Sequence, residues 1–134
     1  DVFKACADKG GVIGIEAAPH TTITRKHPRH DIDSYMEHFE YIKDLVGIDH
    51  VAFGPDALFG DHVSLHDLFS SNMSIAENTA GRSFDRIEYV KGLENPAEAS
   101  QNIVRWLVKH GYSDEEIGKV LGKNVIRVLK QAWS

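Results

Sequence analysis

Two short apolar strands limit the folds that are open to this chain. Residues 12–17 (VIGIEA) and residues 50–53 (HVAF) are rich in β-branched and apolar side chains, as is typical of strands buried on both faces. Between them an amphipathic helix is predicted to begin at Asp31 or Asp33 and to end near Val46. Strands that alternate with helices pair in parallel, because a parallel connection needs a crossover. The sequence therefore predicts an α/β fold.

Further helices flank the strand–helix–strand unit. Residues 2–9 have a helical spacing that ends at a glycine pair. A capping pattern at residues 95–98 begins a longer helix, and a second capping box at residues 113–116 begins a short one. Asn124 begins the last helix. The tryptophans expected in the core from their helical spacing are Trp106 and Trp133.

Residues 57–94 separate the strands from the C-terminal helices of residues 95–134. This segment has little periodicity and is rich in Asp, Ser, Asn and Gly, which predicts a long loop or insertion. Loops of this size are usually functional or packed on another part of the protein. The 134 residues then contain only two strands, and an isolated pair is marginal in water. Further strands must come from copies of this chain or from a longer α/β protein, such as an eight-stranded barrel of about 250 residues.

The composition excludes several classes of function. A net charge of −5 without a basic run disfavours binding to nucleic acid or to anionic membranes. No apolar stretch approaches the roughly 18–20 residues of a membrane span, and no signal peptide is visible. Cys6 is the single cysteine, so an internal disulfide is excluded, and a cytoplasmic location is expected.

Asp56 is the first candidate for chemistry. It follows Gly54 and Pro55 at the carboxyl end of the second strand, the edge where parallel α/β folds build their sites. A carboxylate there can act as a general acid or base, or can hydrogen-bond a metal-bound water. The alternative is that Asp56 only caps the following turn.

Histidines are the second group of candidates. His20 lies just past the first strand and could reach the same rim as Asp56 to bind substrate, or it could be an ordinary loop histidine beside Pro19. His62 and His66 are four residues apart, so on a helix they would share a face as metal ligands do. The alternative for this pair is solvated loop histidines. The histidines predicted to be structural are His38, His50 and His110.

Glu16 places a carboxylate at the end of the first apolar strand. Burying this charge alone would be costly. We therefore expect Glu16 either to reach solvent at the rim or to pair with a cation such as Arg25 or Arg29.

Three blocks of the chain resemble the membrane-dipeptidase family, the zinc-dependent dipeptidases of the amidohydrolase-like barrels. Residues 44–56 (DLVGIDHVAFGPD) look like the last barrel strand of that family, which typically reads VGIDHVGIGSDFDG. Residues 10–15 (GGVIGI) look like its NGGVIMVNF strand, and residues 107–129 are similar to its C-terminal block around RGYSDEDI. The blocks occur in the family's order and cover most of the chain except the long loop.

The resemblance implies that residues 1–134 are a partial metallo-dependent hydrolase domain. They would form the C-terminal portion of a TIM (β/α)8 barrel: the last two strands with their helices, followed by the C-terminal helices. Asp56 would hold the water bound to a zinc pair and pass its proton to the leaving amine of a dipeptide substrate. The metal ligands of the family lie upstream of these blocks, so the chain itself would hold no metal ligand, would need the missing N-terminal portion as its partner and would be inactive alone.

The chain also departs from the family pattern. The family's SDFDG reads Pro55-Asp56-Ala57-Leu58-Phe59-Gly60 here, so the second Asp is absent. Its NFY reads Glu16-Ala17-Ala18, which removes a polar aromatic side chain from the pocket. The resemblance therefore does not imply a substrate preference. The alternative function is a non-catalytic α/β module that forms homo-oligomers and binds a partner or a metal through loop histidines, namely His20, His62 and His66.

Overall fold

The computed structural model describes residues 1–18, 22–60, 64, 65, 68 and 89–133. The first half contains helix α1 (Val2–Asp8), strand β1 (Ile13–Ile15), helix α2 (Ile32–Val46), a short 3₁₀ turn (Ile48–His50) and strand β2 (Val51–Phe53). The second half contains helix α3 (Pro96–Lys109), helix α4 (Asp114–Gly118), a wide helical turn (Lys119–Lys123) and helix α5 (Asn124–Ala132). In the described ranges no helix is long and apolar enough to cross a membrane.

Strands β1 and β2 pair in parallel, as predicted. Ile13 lies opposite Val51, and Ile15 lies opposite Phe53. The Gly54 N–H donates to the Ile15 carbonyl over 3.1 Å, so the pairing continues one step past the strands. Within the described ranges the sheet holds these two strands alone, and each therefore keeps one open edge.

Helix α2 packs its apolar stripe against the sheet. Tyr35, Met36 and Phe39 are fully buried, and the rings of Phe39 and Phe53 lie 4.8 Å apart between centroids. The Tyr35 hydroxyl donates to the Ile15 carbonyl over 2.7 Å, and burial raises the pKa of Tyr35 well above its usual value. Helix α2 is thus fixed to β1 by both packing and a buried hydrogen bond.

The predicted caps begin the helices. Asp31, rather than Asp33, is the N-cap of α2, and it forms a capping box with Ser34. The Asn95 side chain caps α3, and Ser113 forms a capping box with Glu116 at α4. These side chains accept hydrogen bonds from amides that the first turn of a helix leaves without intrahelical partners.

Several predicted boundaries and positions were wrong. Strand β1 is shorter than residues 12–17, because its pairing with the short β2 stops at Ile15. His50 belongs to the 3₁₀ turn rather than to β2. Trp106 packs against the core, but Trp133 is 81% exposed at the end of α5. Most of the predicted loop over residues 57–94 lies outside the described residues.

Helix α5 is tied to the amino end of the sheet. The buried Asn124 side chain donates to the carbonyls of Ile48 and Val51, each over 2.8 Å. Arg127 donates to the carbonyls of Gly10 and Asp49 over 2.6 and 2.8 Å. These contacts of α5 all lie at the amino end of the sheet rather than at its carboxyl end.

Replacing Asn124 should destabilise the fold. Asn124→Ala removes the donors of two carbonyl groups at a buried site, so we expect the free energy of unfolding to fall by about 2 kcal/mol. Urea unfolding of the protein measures the loss. Asn124→Asp keeps the size but lacks the donors and should also be destabilised, whereas the exposed Lys109→Ala control should change stability by less than about 0.5 kcal/mol. An Asn124→Asp variant as stable as the wild type would contradict the assignment.

Candidate active site

The carboxyl ends of the two strands bring two carboxylate residues to one edge of the sheet. Glu16 follows β1 directly, and Asp56 follows β2 after Gly54 and Pro55. Both line a hollow of about 540 Å³ at this edge. The lining residues are Glu16, Gly54, Pro55, Asp56, Ala57, Pro96 and Ser100.

Asp56 is exposed at the rim of this hollow. Its backbone has a φ of +54°, in the left-handed region, which Asp enters more readily than most residues because its short polar side chain is compatible with it. Within the described ranges the Asp56 carboxylate makes no hydrogen bond or ion pair. The described turn therefore does not use Asp56 as a side-chain cap, and the carboxylate is available to a ligand.

Glu16 is also exposed at the rim, the first of its two predicted alternatives. Arg29, one of the two cations considered for it, lies 3.7 Å from Asp31 instead. Glu16 also borders a second hollow of about 330 Å³ beside β1 and α2. Glu16 is therefore exposed to solvent at the carboxyl edge of the sheet, and within the described ranges no protein cation pairs with it.

Helix α3 contributes to the same hollow through its N-terminal residues, which the sequence pattern did not predict. Pro96 and Ser100 line the hollow opposite the strand ends. The capping pattern at Asn95 predicted where this helix begins. Nothing in the pattern indicated that its first turn lies at the carboxyl edge, because that placement depends on tertiary packing.

The three histidines that were predicted to be structural, His38, His50 and His110, all contact backbone carbonyl oxygens. His38 Nε2 lies 2.9 Å from the Thr22 carbonyl oxygen, and His50 Nδ1 lies 2.9 Å from the Gly11 carbonyl oxygen. His110 Nδ1 lies 2.7 Å from the carbonyl oxygen of Trp106 and its ring stacks on the indole. The histidines that lie outside the described residues are His20, His62 and His66.

The described residues supply only part of what a metal centre needs. Catalytic zinc takes about three protein ligands, and in these ranges no group of three or more His, Cys, Asp or Glu side chains comes together. Asp56 and Glu16 offer two carboxylates at one rim. In metal-assisted hydrolysis a carboxylate can serve as a metal ligand, or it can hydrogen-bond and deprotonate the attacking water. The carboxylates at this rim fit the second of these roles.

Comparisons with known proteins agree on one family. Residues 1–70 and 79–134 match the family model described as membrane dipeptidase, peptidase family M19. The dipeptidase tcpJ of Claviceps purpurea (strain 20.1) is 26% identical over 123 residues, which cover 90% of this chain and 22% of that protein. An uncharacterized protein in the pqqA 5′ region of Klebsiella pneumoniae is 27% identical over 135 residues, or 98% of this chain and 39% of that protein.

A solved structure shows the same likeness. The crystal structure of an amidohydrolase from Pseudomonas aeruginosa superposes with a TM-score of 0.76 at 30% identity. The match covers 98% of this chain and 39% of that chain. The chain therefore spans about two fifths of the length of this structure and of the Klebsiella relative, and less of the Claviceps dipeptidase.

The left-handed backbone of Asp56 allows a test of whether its carboxylate stabilises the turn. Asp56→Gly should be at least as stable as the wild type, because glycine enters this region without steric cost. Asp56→Ala should be less stable than Asp56→Gly by about 1 kcal/mol. Thermal unfolding of both variants measures the difference. If Asp56→Gly loses stability, the carboxylate supports the turn, which would contradict its availability to a ligand.

Proposed function

We propose that this chain, which belongs to the membrane dipeptidase family (peptidase family M19), is the C-terminal part of a metal-dependent hydrolase that cleaves dipeptides. The position of Asp56 carries this proposal. In a chain of a dipeptidase family, an exposed carboxylate without a partner among the described residues lies in a hollow at the carboxyl ends of two parallel strands. Barrel hydrolases place their catalytic groups at that edge.

The proposed architecture is the end of a TIM barrel, with β1 and β2 as its last two strands. Each strand has one open edge in the described part of the chain, and buried parallel strands normally have neighbours on both sides. The second hollow, a groove of about 330 Å³, is lined by β1 together with residues of α1 and α2. Its lining residues are Phe3, Ile13, Gly14, Ile15, Glu16, Thr22, His38, Tyr41 and Ile42. An upstream strand from the N-terminal portion of the barrel would cover it.

In the proposed mechanism Asp56 moves one proton. When bound, a pair of zinc ions would lower the pKa of the attacking water and polarise the amide carbonyl. The Asp56 carboxylate accepts a proton from that water and then donates it to the amine nitrogen that leaves, acting first as a general base and then as a general acid. By the family resemblance, the metal ligands of this centre would come from the N-terminal portion of the barrel.

A second proposal is a non-catalytic module that pairs with copies of itself. The open edges of β1 and β2 support it, because an unpaired strand edge is a template for another chain. His20, His62 and His66 would then bind a partner or a metal. Titrating the chain with zinc tests this function: stoichiometric tight binding that is lost in a His62→Ala/His66→Ala double variant would favour it over the hydrolase.

The hydrolase proposal predicts the activity of the complete protein. With zinc it should hydrolyse unmodified dipeptides, and a chelator should abolish turnover until zinc is restored. Asp56→Asn should lower kcat by about 10²- to 10⁴-fold, because the amide cannot carry the proton. Release of free amino acids measures the rate, and the exposed Lys109→Ala variant should match the wild type.

The same proposal predicts that residues 1–134 alone are inactive. Purified as an isolated chain with added zinc, they should show no turnover above that of buffer. Robust hydrolysis by the isolated chain, abolished by Asp56→Asn, would contradict the need for an N-terminal portion.

A further inference from the structure

The charged side chains that line the hollow beside Asp56 are carboxylates, which favour a cationic ligand over an anionic one. The Gly54 N–H is already bonded to the Ile15 carbonyl over 3.1 Å. The Ser100 hydroxyl donates to the Pro96 carbonyl over 2.7 Å. Among the described lining residues, the charged groups are the carboxylates of Glu16 and Asp56.

The first turn of α3 does not reverse this preference. A helix N-terminus usually attracts anions through its free amides, but Pro96 has no N–H. The amides of Ala97 and Glu98 donate to the Asn95 side chain over 3.1 and 3.0 Å, and the Ala99 amide donates to the Asn95 carbonyl over 2.9 Å. Asn95 therefore caps the helix, and these three amides are not available to an anionic ligand.

Only one of the two carboxylates of the hollow has a role in the proposed proton transfer. In the proposed mechanism Asp56 exchanges a proton with the reacting groups. Glu16 follows the end of the other strand and lines the same hollow. Its charge is not needed for the proton transfer, and within the described ranges no protein cation pairs with it.

We propose that Glu16 is a substrate-binding residue that selects a positively charged nitrogen, either an ammonium or a guanidinium group. This inference rests on the proposed hydrolase function and adds a substrate class to it. An ionised carboxylate accepts strong hydrogen bonds from such groups and accepts none from an anion. The cation could be the α-amino group of any dipeptide or the side chain of a Lys or Arg residue, and both sources have the same chemistry.

The test uses the complete protein with zinc and the variant Glu16→Gln, which keeps the shape and removes the charge. Three substrates separate the sources: a dipeptide with a lysine side chain, alanyl-alanine, and N-acetyl-alanyl-alanine. We expect kcat/KM to fall about 10- to 100-fold for substrates that carry the selected cation, the size of one charge-assisted hydrogen bond. The change should appear mainly in KM, and bound zinc should be the same as in the wild type.

The pattern of losses identifies the cation. A loss for the lysine dipeptide alone assigns the side chain, whereas a loss for both free amines but not for the acetylated substrate assigns the α-ammonium group. Equal losses for all three substrates, or no loss, would overturn the proposal. Glu98→Gln is the matched control, because it removes an exposed carboxylate from α3 outside the lining of the hollow and should leave all three rates unchanged.

A binding measurement keeps this inference separate from the hydrolase proposal. In the Asp56→Asn background, calorimetry gives the Kd of the lysine dipeptide and of alanyl-alanine with and without Glu16→Gln. We expect the Kd of the ligand with the selected cation to rise about 10- to 100-fold. Glu16-dependent binding without any hydrolysis by the wild type would leave the inference standing and reject the dipeptidase activity, and an unchanged Kd for both ligands would reject the inference.

Discussion

The parallel pairing of β1 with β2 is the constraint on which the rest of the structure depends. Because both strands run in the same direction, their carboxyl ends lie at one edge, and the residues that follow them share a hollow. An antiparallel pair would have put Glu16 and Asp56 at opposite ends of the sheet. The position of both carboxylates at one rim is therefore a consequence of the parallel strand direction, which in turn requires the crossover through α2.

The two ends of this small sheet are stabilised in different ways. At the amino end, Asn124 and Arg127 of α5 satisfy backbone carbonyls around β2 and around the turn before β1. Along the face, α2 packs Phe39 on Phe53 and Tyr35 donates to the carbonyl of Ile15. The carboxyl end has no comparable set of backbone contacts from a helix in the described ranges. The contacts that α5 makes to the sheet thus lie at the end opposite the candidate site, which is the arrangement that barrel enzymes use.

The sequence predicted the features that depend on local chemistry. The caps at Asn95 and Ser113 and the apolar stripe of α2 follow from short-range patterns, and the structure confirmed them. Strand length depends on the partner strand, so β1 was predicted too long. Trp133 was predicted to be buried because helical spacing shows which side chains share a face, but it does not show whether another element covers that face.

The candidate site likewise contains residues whose positions the sequence could predict and residues whose positions it could not. Asp56 and Glu16 could be placed at one edge because strand order and polarity follow from the alternation of elements. The contribution of Pro96 and Ser100 could not, because it depends on where α3 packs after a long intervening segment. The sequence predicted the Asn95 cap itself, but a capping pattern does not show which edge of the sheet the helix end faces.

Glu16 links the proposed assembly to the proposed specificity. Its side chain borders the hollow it shares with Asp56 and also the groove along the open edge of β1. In the proposed barrel the neighbouring upstream strand would occupy that groove, and its own carboxyl end would reach the same rim. The surroundings of Glu16 would then include upstream residues. These residues would shield Glu16 from solvent, and its attraction to a bound cation would be stronger because a lower dielectric weakens charge screening. Substrate selection by Glu16 and completion of the barrel therefore depend on the same edge of β1.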